Sequence, residues 1–488
     1  KRPKNFFFID FNFKISSYRG KLSTAINDFK KILDEDEAYA LKFLFYVRDA
    51  REGVGERDLF RSCLETFVNY SRANVDTLVD VIIKQTPEFG RWDDLFVLLN
   101  TKYKDKVVSA IKSQLFSDFE NLKAGKSISL LAKWMPSENA SSVETKSLAR
   151  VFIKEFGCTP KQYRTMLTAL REKLKVVERD MCSKNWDGID YNAVPSKANI
   201  KYGSAFLRND ETRRREWLSK LSSGDKSVHI NSSVNFPHDV LHMYATTRGW
   251  SFGVKDYDET VEQLWKNLKG CDGLKDTIVV RDDSGSMQSV VGNTNLTAYE
   301  VATALGIYCA QHNSDAYKNK IITFSETPRY LDFSDGRRCG SLHSIYKYLN
   351  EHSEVANTNV KAVFDLILKT AVENKLAKED LPKQILILSD MEFDSATYCY
   401  RSSSRPDIAL FNIIGAEYAK YGYELPKLVF WNLCSRTGTI PMKQNDNGVV
   451  LVSGFSQNIL KLVQSGKTDP YEVLVDGLNV ERYNSIPL

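Results

Sequence analysis

Residues 277–287, "TIVVRDDSGSM", set three oxygen donors on alternate positions after an apolar run: Asp282, Ser284 and Ser286. One carboxylate and two hydroxyls on a short loop are hard ligands of the kind that suit Mg²⁺, Mn²⁺ or Ca²⁺. Two further donors stand where other elements end. Asp390 closes "ILILSD", and Thr358 precedes the helix-like "VKAVFDLIL". The chemistry implied is cation holding rather than catalysis. Hydroxyls ligate directly or through water, and a remaining coordination position is open to an acidic group from a partner. No carboxylate pair or His stands nearby to activate a water, and a D-x-D phosphatase signature is absent from Asp282-Asp283-Ser284. Arg281 and Asp283 flank the first ligand. They read either as an ion pair or as a second carboxylate that redirects the metal.

A second group of residues has the chemistry to meet phosphate. "LREKLKVVERD" and "RNDETRRREW" carry Arg171, Lys173, Lys175, Arg179, Arg213, Arg214 and Arg215, with Trp186, Tyr191 and Tyr202 between the clusters. Cations steer a nucleic-acid backbone, and aromatic rings stack on unpaired bases. The bland reading is a solvated helix face, since Glu172, Glu178, Glu211 and Glu216 are interleaved. Other chemical signatures are weaker. His238 and His242 lie four apart in "FPHDVLHMY", but Asp239 stands where a zinc protease has Glu, and Pro237 marks a helix start. "GVGER" lacks the Lys-Ser/Thr of a phosphate-binding loop.

The elements that must position these residues change character along the chain. From about residue 20 to 270 one amphipathic helix follows another. "DLFRSCLETFVNY" puts Leu59, Phe60, Cys63, Leu64, Phe67 and Val68 on one face, and "KVVSAIKSQLFSDFENL" does the same with Val107, Val108, Ile111, Leu115, Phe119 and Leu122. Tandem helices without a strict period suggest an irregular, HEAT-like repeat array that stacks into a curved or ring-like scaffold. From residue 271 short apolar runs alternate with helical segments. The runs are 277–280, 320–324, 384–388, 428–431 and 448–452, and the helices Leu296–His312, Asn359–Asn374 and Ile408–Tyr421. Runs buried on both faces make a parallel sheet, and the alternation predicts a doubly wound α/β domain. Ligands of such folds sit at the carboxyl ends of the strands, where Asp282 and Asp390 fall. The expected organisation is thus multidomain, α then α/β, with domains at 1–270 and 271–488, the second able to fold alone from about Gly270.

Composition narrows the setting. A chain of 488 residues exceeds one ordinary core, and 42% hydrophobic with 26% charged residues reads as globular. No apolar run of about 18 residues predicts a membrane span, and "KRPKNFFFIDFNFK" does not read as a signal peptide. The chain does not start with Met, which leaves an upstream segment open. Eight cysteines without a C-x-x-C pair favour free thiols in a reducing, cytoplasmic compartment, with particle association open. The net charge of +5 is uneven: residues 1–272 hold 45 Lys and Arg against 37 Asp and Glu, and residues 147–226 hold 17 against 10. A local basic patch permits an anionic partner without demanding one.

The donor set Asp282-x-Ser284-x-Ser286, Thr358 and Asp390 resembles the metal-ion-dependent adhesion site of von Willebrand factor A domains in order, spacing and strand context. "RDAREGVGERDLFR", "GRWDDL", "SLLAKWMPS", "MCSKNWDGIDYNAVPSKA", "LSDMEFD", "VFWNL" and "GVVLVSGFSQNILKL" resemble an uncharacterised family, a domain of unknown function with a terminal A domain. Cys434, after "FWNL", stands where that family commonly has Arg. The layout is similar to the TROVE proteins, the Ro autoantigen group, in which a ring of helical repeats carries an A domain. The resemblance implies a non-enzymatic RNA-binding scaffold, a ribonucleoprotein component, with a divalent cation such as Mg²⁺ at the adhesion-type site. The alternative it implies is a protein-assembly or particle-associated structural protein whose partner supplies an acidic ligand to the metal.

Overall fold

Helices dominate the described residues up to 270, and a six-stranded sheet follows. The computed structural model describes residues 5–487 apart from 249–250, 271–273, 275, 314–315, 354–357, 392–407, 435–448, 461–462 and 464–468. The helix Arg57–Tyr70 buries Leu59, Phe60, Cys63, Leu64, Phe67 and Val68, the face its periodicity predicts. The helix Lys104–Lys123 buries Val107, Val108, Ile111 and Leu115, while Phe119 and Leu122 are only half-buried. Local chemistry starts these helices where it should. Thr159 caps the helix Pro160–Lys173: its hydroxyl accepts from Gln162 N–H, and the Gln162 side chain accepts from Thr159 N–H.

Two strands, β1 (Ala245–Arg248) and β2 (Ser251–Val254), form an antiparallel hairpin. The main sheet comprises β3 (Thr277–Asp282), β4 (Lys320–Phe324), β5 (Tyr330–Asp332), β6 (Gln384–Ser389), β7 (Lys427–Asn432) and β8 (Val449–Ser453). Its order is β5-β4-β3-β6-β7-β8, parallel throughout except for the short edge strand β5. The strand order reverses between β3 and β6, so the crevice of this doubly wound sheet opens beyond the ends of those two strands. The hairpin and β5 have no continuous apolar run, and the sequence reading missed them.

Strand alternation divides β3 between two cores. Ile278 and Val280 pack with Ile385, Ile387 and the helix Val360–Glu373 on one face. Val279 packs with Leu386, Leu388 and the helix Ala298–Gln311 on the other. Each of these side chains is fully buried, a burial that stabilises by about 1.5–3 kcal/mol per side chain.

The cores do not respect a boundary at residue 270. Helices between Val177 and Leu268 share one continuous core with a face of the sheet. The earlier helices share theirs with Leu474, Leu478, Tyr483 and Ile486 from the C-terminal end. Both chain ends cross over. Ser16 donates to Asn432 O (3.0 Å), and Asn432 Nδ2 donates to Phe13 O (2.9 Å), which docks the N-terminal segment on β7. At the other end Arg482 chelates Asp49 and Tyr483 stacks on Phe89 with ring centroids 5.5 Å apart. The expectation that a fragment from Gly270 folds alone therefore meets a physical obstacle: such a fragment would expose the apolar surface that residues 177–268 cover. A third contact involves the loop after β3. Gly292 (φ +55°) lies against Arg19 and Gly20, and a Cβ there would sit 2.7 Å from Arg19 Cβ.

Candidate functional site

Asp282 is the last residue of β3, fully buried, on the sheet face that carries Ile278 and Val280. Its Oδ1 accepts from Ser284 N–H (2.9 Å), and its Oδ2 accepts from the Ser389 hydroxyl. Ser389 ends β6 directly beside it. Both donors are neutral, so among the described residues this buried carboxylate meets no matching cation. Burial foremost, and then the nearby Asp390 carboxylate, push its pKa up to about 7, against the pull of those hydrogen bonds. The Ser284 and Ser286 hydroxyls lie 3.0 Å apart on the turn that follows, which is partly exposed around Gly285. Thr358 stands two residues before the helix Val360–Glu373, and its buried hydroxyl has no hydrogen-bond partner among the described residues. Asp390 is buried after β6, and the next residue, Met391, adopts φ +63°. That left-handed conformation turns the chain out of the sheet, while Met391 N–H donates to Ser389 Oγ (3.0 Å).

These groups fit a hard divalent cation. Two buried carboxylates within electrostatic reach and two adjacent hydroxyls are oxygen donors of mixed charge, with the partly open Ser284–Ser286 turn as the approach, while no contact ties Thr358 to them among the described residues. Among the described residues no group of three His, Cys, Asp or Glu side chains comes together, so a cation here depends on the hydroxyls. Ser389 was missed from sequence. Only the pairing of β3 with β6, which sets Asp282 level with Ser389, reveals it; the register aligns Arg281 with Leu388, one residue before.

The flanking pair takes the first of its two expected forms. Alternation turns Arg281 and Asp283 to the opposite face from Asp282. There Arg281 Nη2 donates to Asp283 Oδ2 (2.8 Å), and Nε lies 2.6 Å from Oδ1 at an angle too bent for a hydrogen bond. The guanidinium also faces the Tyr299 ring, 5.1 Å from its centroid. Asp283 is therefore engaged away from the oxygen cluster and is not placed as a further ligand.

The seven basic residues separate. Lys173, Lys175, Arg179 and Arg215 are exposed, with Arg179 paired to Glu172 and Arg215 to Glu211. Arg171 is turned inward, donating to Ala132 O (2.9 Å), Met135 O (2.7 Å) and Ser137 Oγ (2.9 Å). Arg213 donates to Trp186 O, Ile189 O and Asp210. Arg214 is wholly buried among Tyr191, Phe206 and Trp217, 4.4–5.4 Å from their centroids, and burial pulls its pKa down to about 10. Tyr191 is core, and Trp186 and Tyr202 pack half-buried against it. Of the two histidines, His238 is buried between Phe236 and Phe455, with its pKa lowered to about 3 by desolvation, and His242 pairs with Glu300 (3.2 Å).

A larger basic feature lies inside the helical half. A cleft of about 1220 Å³ is lined by Arg61, Arg91, Lys133, Arg171, Arg179, Lys197 and Lys201, against only Asp93 and Glu178. A neighbouring cleft of about 910 Å³ shares Arg91 and Lys197 with it and reaches Asn293–Leu296, the loop that follows the oxygen cluster. The sequence reading had singled out Arg171 and Arg179 alone among these cations, because the others come from separate helices.

Two family models match parts of the chain. Residues 154–275 match a domain of unknown function, DUF2828, and residues 276–481 match a second, DUF7788. The chain is 30% identical over 499 residues to the uncharacterized protein L728 of Acanthamoeba polyphaga mimivirus, an alignment covering 94% of this chain and 82% of that protein. By that extent of similarity the chain belongs to the same uncharacterised family as L728.

Proposed function

We propose that the protein is a non-enzymatic scaffold that binds RNA in its helical half and holds a divalent cation at the head of β3. The observation that carries the reading is the meeting of Asp282, Ser284, Ser286 and Asp390 at the switch point of the sheet, with the helical half presenting a cleft of seven cations against two carboxylates. The sheet order, with one antiparallel edge strand, supports a von Willebrand A domain. The tandem helices support a TROVE-like repeat scaffold, and RNA binding comes to this chain by that likeness of layout. Asp282, Ser284, Ser286, Thr358 and Asp390 would hold the ion, Mg²⁺ by the hardness of the donors. Among the described residues Cys63, Cys158, Cys182 and Cys339 are free thiols, which fits a reducing compartment such as the cytoplasm.

Calorimetric titration with Mg²⁺ and Mn²⁺ tests the metal arm: heats in wild type that vanish in Asp282→Ala support it, and equal heats in both sink it. Fluorescence polarisation with single-stranded RNA tests the other arm, whose affinity must fall steeply with salt. A second reading, protein assembly through a partner's carboxylate on the metal, is favoured by the exposed Gly285 and Val290 at the rim of the cluster. Its signature is a protein partner released by EDTA and no RNA binding.

A further inference from the structure

Arg214 stands in the helix Glu211–Ser222 with its side chain closed off from solvent. Its guanidinium carbon lies 4.8 Å from the Tyr191 ring centroid, 5.4 Å from that of Phe206 and 4.4 Å from that of Trp217. One nitrogen, Nη2, donates to Asn199 Oδ1 at a long 3.3 Å. Nε and Nη1 are buried and have no hydrogen-bond partner among the described residues. Two carboxylates of this region are engaged elsewhere. Asp210 accepts from the Tyr191 hydroxyl (2.6 Å) and Arg213 Nη1 (3.0 Å), and Asp258 accepts from Thr260 N–H (2.7 Å). Asp258 attracts the guanidinium through space without bonding to it. Burial pulls the pKa of Arg214 down to about 10, so the group still carries its charge at neutral pH. Thr260 adds a further donor. It is wholly buried in the helix Glu259–Lys266, which packs on the helix of Arg214, and its hydroxyl has no partner among the described residues. The three rings answer the faces of the cation. They do not answer its edge, where the N–H bonds point, and a buried charge is costly unless it is paired.

We propose that the edge of the Arg214 guanidinium, with the Thr260 hydroxyl, binds a buried monovalent anion, chloride, as a structural ion. The free groups are donors: a guanidinium has no acceptor atom, and a hydroxyl without other partners can donate to an anion. Enclosure selects the ion. Asn199 and Phe206 are wholly buried, Tyr191 and Trp217 nearly so, and Arg214 lines neither cleft described above. A compact ion of single charge costs least to dehydrate in such surroundings, whereas a phosphate or sulfate brings a second charge and more acceptor oxygens than these donors answer. The ion balances Arg214 where no carboxylate does. It also braces a joint between the two regions of the chain. The helix Glu259–Lys266 carries Glu262, which accepts from Leu342 N–H (2.8 Å) and His343 N–H (3.0 Å) at the start of the helix Leu342–Glu351. The site shares no residue with the basic cleft or the oxygen cluster, so it stands apart from both arms of the proposed function.

The test melts the full chain in sodium chloride and in sodium gluconate of equal ionic strength, followed by circular dichroism. Chloride is expected to raise the melting temperature by about 1–3 °C along a curve that saturates. Arg214→Met keeps an unbranched apolar stem among the rings and is expected to abolish the response. Thr260→Val is expected to weaken the apparent chloride affinity about tenfold, the loss of one hydrogen bond to a charged group. Arg215→Gln, on the solvent side of the same helix, is expected to leave the response intact. Should Arg214→Met fail to fold, the chlorine NMR line width carries the decision: chloride broadens on adding wild type and broadens less on adding Thr260→Val. Equal melting of wild type in the two salts overturns the proposal and assigns the free N–H groups to ordered water. A chloride response that persists unchanged in Arg214→Met overturns it by placing the ion elsewhere. A rise that climbs without saturating overturns it as a general salt effect.

Discussion

The oxygen cluster at the head of β3 and the arginine-rich helices Pro160–Lys173 and Glu211–Ser222 handle charge in opposite ways. At β3 a carboxylate is carried into the crevice and meets only neutral donors among the described residues, so burial and Asp390 push its pKa up to about 7. On the helices Arg171 and Arg213 donate mainly to backbone carbonyls of loops packed against them, and Arg214 disappears into three aromatic rings. The lesson is about leverage. A residue at a strand end has its direction set by the sheet, and few neighbours can reach it. A long side chain on a helix can bend back to satisfy the nearest unpaired carbonyl, so a run of arginines is as readily mortar as binding surface. Arg91, Lys133 and Lys201, scattered in sequence, lie instead over aromatic faces in one cleft.

Four measurements test this contrast. The largest effect is expected from Asp283→Ala, which strands the buried Arg281 guanidinium and costs about 3–5 kcal/mol in denaturant unfolding. A double replacement, Arg281→Met with Asp283→Leu, should recover most of that loss, since a buried pair contributes little net stability. If the double variant is as unstable as the single one, the pair is a specific organiser of the loop. Next is the response to cation. Saturating Mg²⁺ should raise the melting temperature of wild type, by an amount equivalent to about 2.7 kcal/mol at a hundredfold excess over Kd, and leave Asp282→Asn unmoved. An equal rise in both variants would separate the cluster from the metal.

The third measurement compares two adjacent arginines. Arg214→Ala should cost about 2 kcal/mol through lost packing, and Arg215→Ala less than about 0.5 kcal/mol, because one is a core residue and the other a solvated ion pair. Replacing Arg213, Arg214 and Arg215 together would confound stability with any loss of ligand. The smallest effect concerns His242, whose ring nitrogen meets Glu300 and whose pKa is raised above the ordinary 6.5, first by that hydrogen bond. Glu300 and Asp239 favour the charged ring, Lys255 opposes it, and desolvation opposes it too. Because the folded value lies above the unfolded one, the pair contributes fully below pH about 6.5 and fades as pH rises through the folded value. Melting temperatures of wild type and His242→Gln should differ in mildly acidic buffer and converge in mildly alkaline buffer; a constant gap would assign the pair no ionic role.

Much of this architecture was legible in the residues. Apolar runs at 277–280, 320–324, 384–388, 428–431 and 448–452 became β3, β4, β6, β7 and β8 with ends shifted by at most two residues. The helices Ala298–Gln311, Val360–Glu373 and Ile408–Lys420 fell inside their expected spans. Period-two and period-3.6 burial are local properties, and a local window reads them. Asp282, Ser284 and Ser286 were legible for the same reason, since a strand delivers them as one unit.

What local windows cannot read is which distant groups a side chain meets. The aim of Arg281 and Asp283 away from Asp282 follows from alternation, but their pairing depends on the helix Ala298–Gln311 covering that face. Ser389 joins the cluster only through the β3–β6 register. Arg214 looked like its neighbours and became core because Tyr191, Phe206 and Trp217 surround it. The cleft gathers Arg91, Lys133 and Lys201 from three helical regions. The crossing of both chain ends joined cores that composition had placed in separate domains. Sequence by itself determined the elements and the donors each one carries, because backbone periodicity and burial are set by neighbours in the chain. Tertiary structure alone decided which charges are consumed and which stay available, because neutralisation depends on partners brought together from far along the chain.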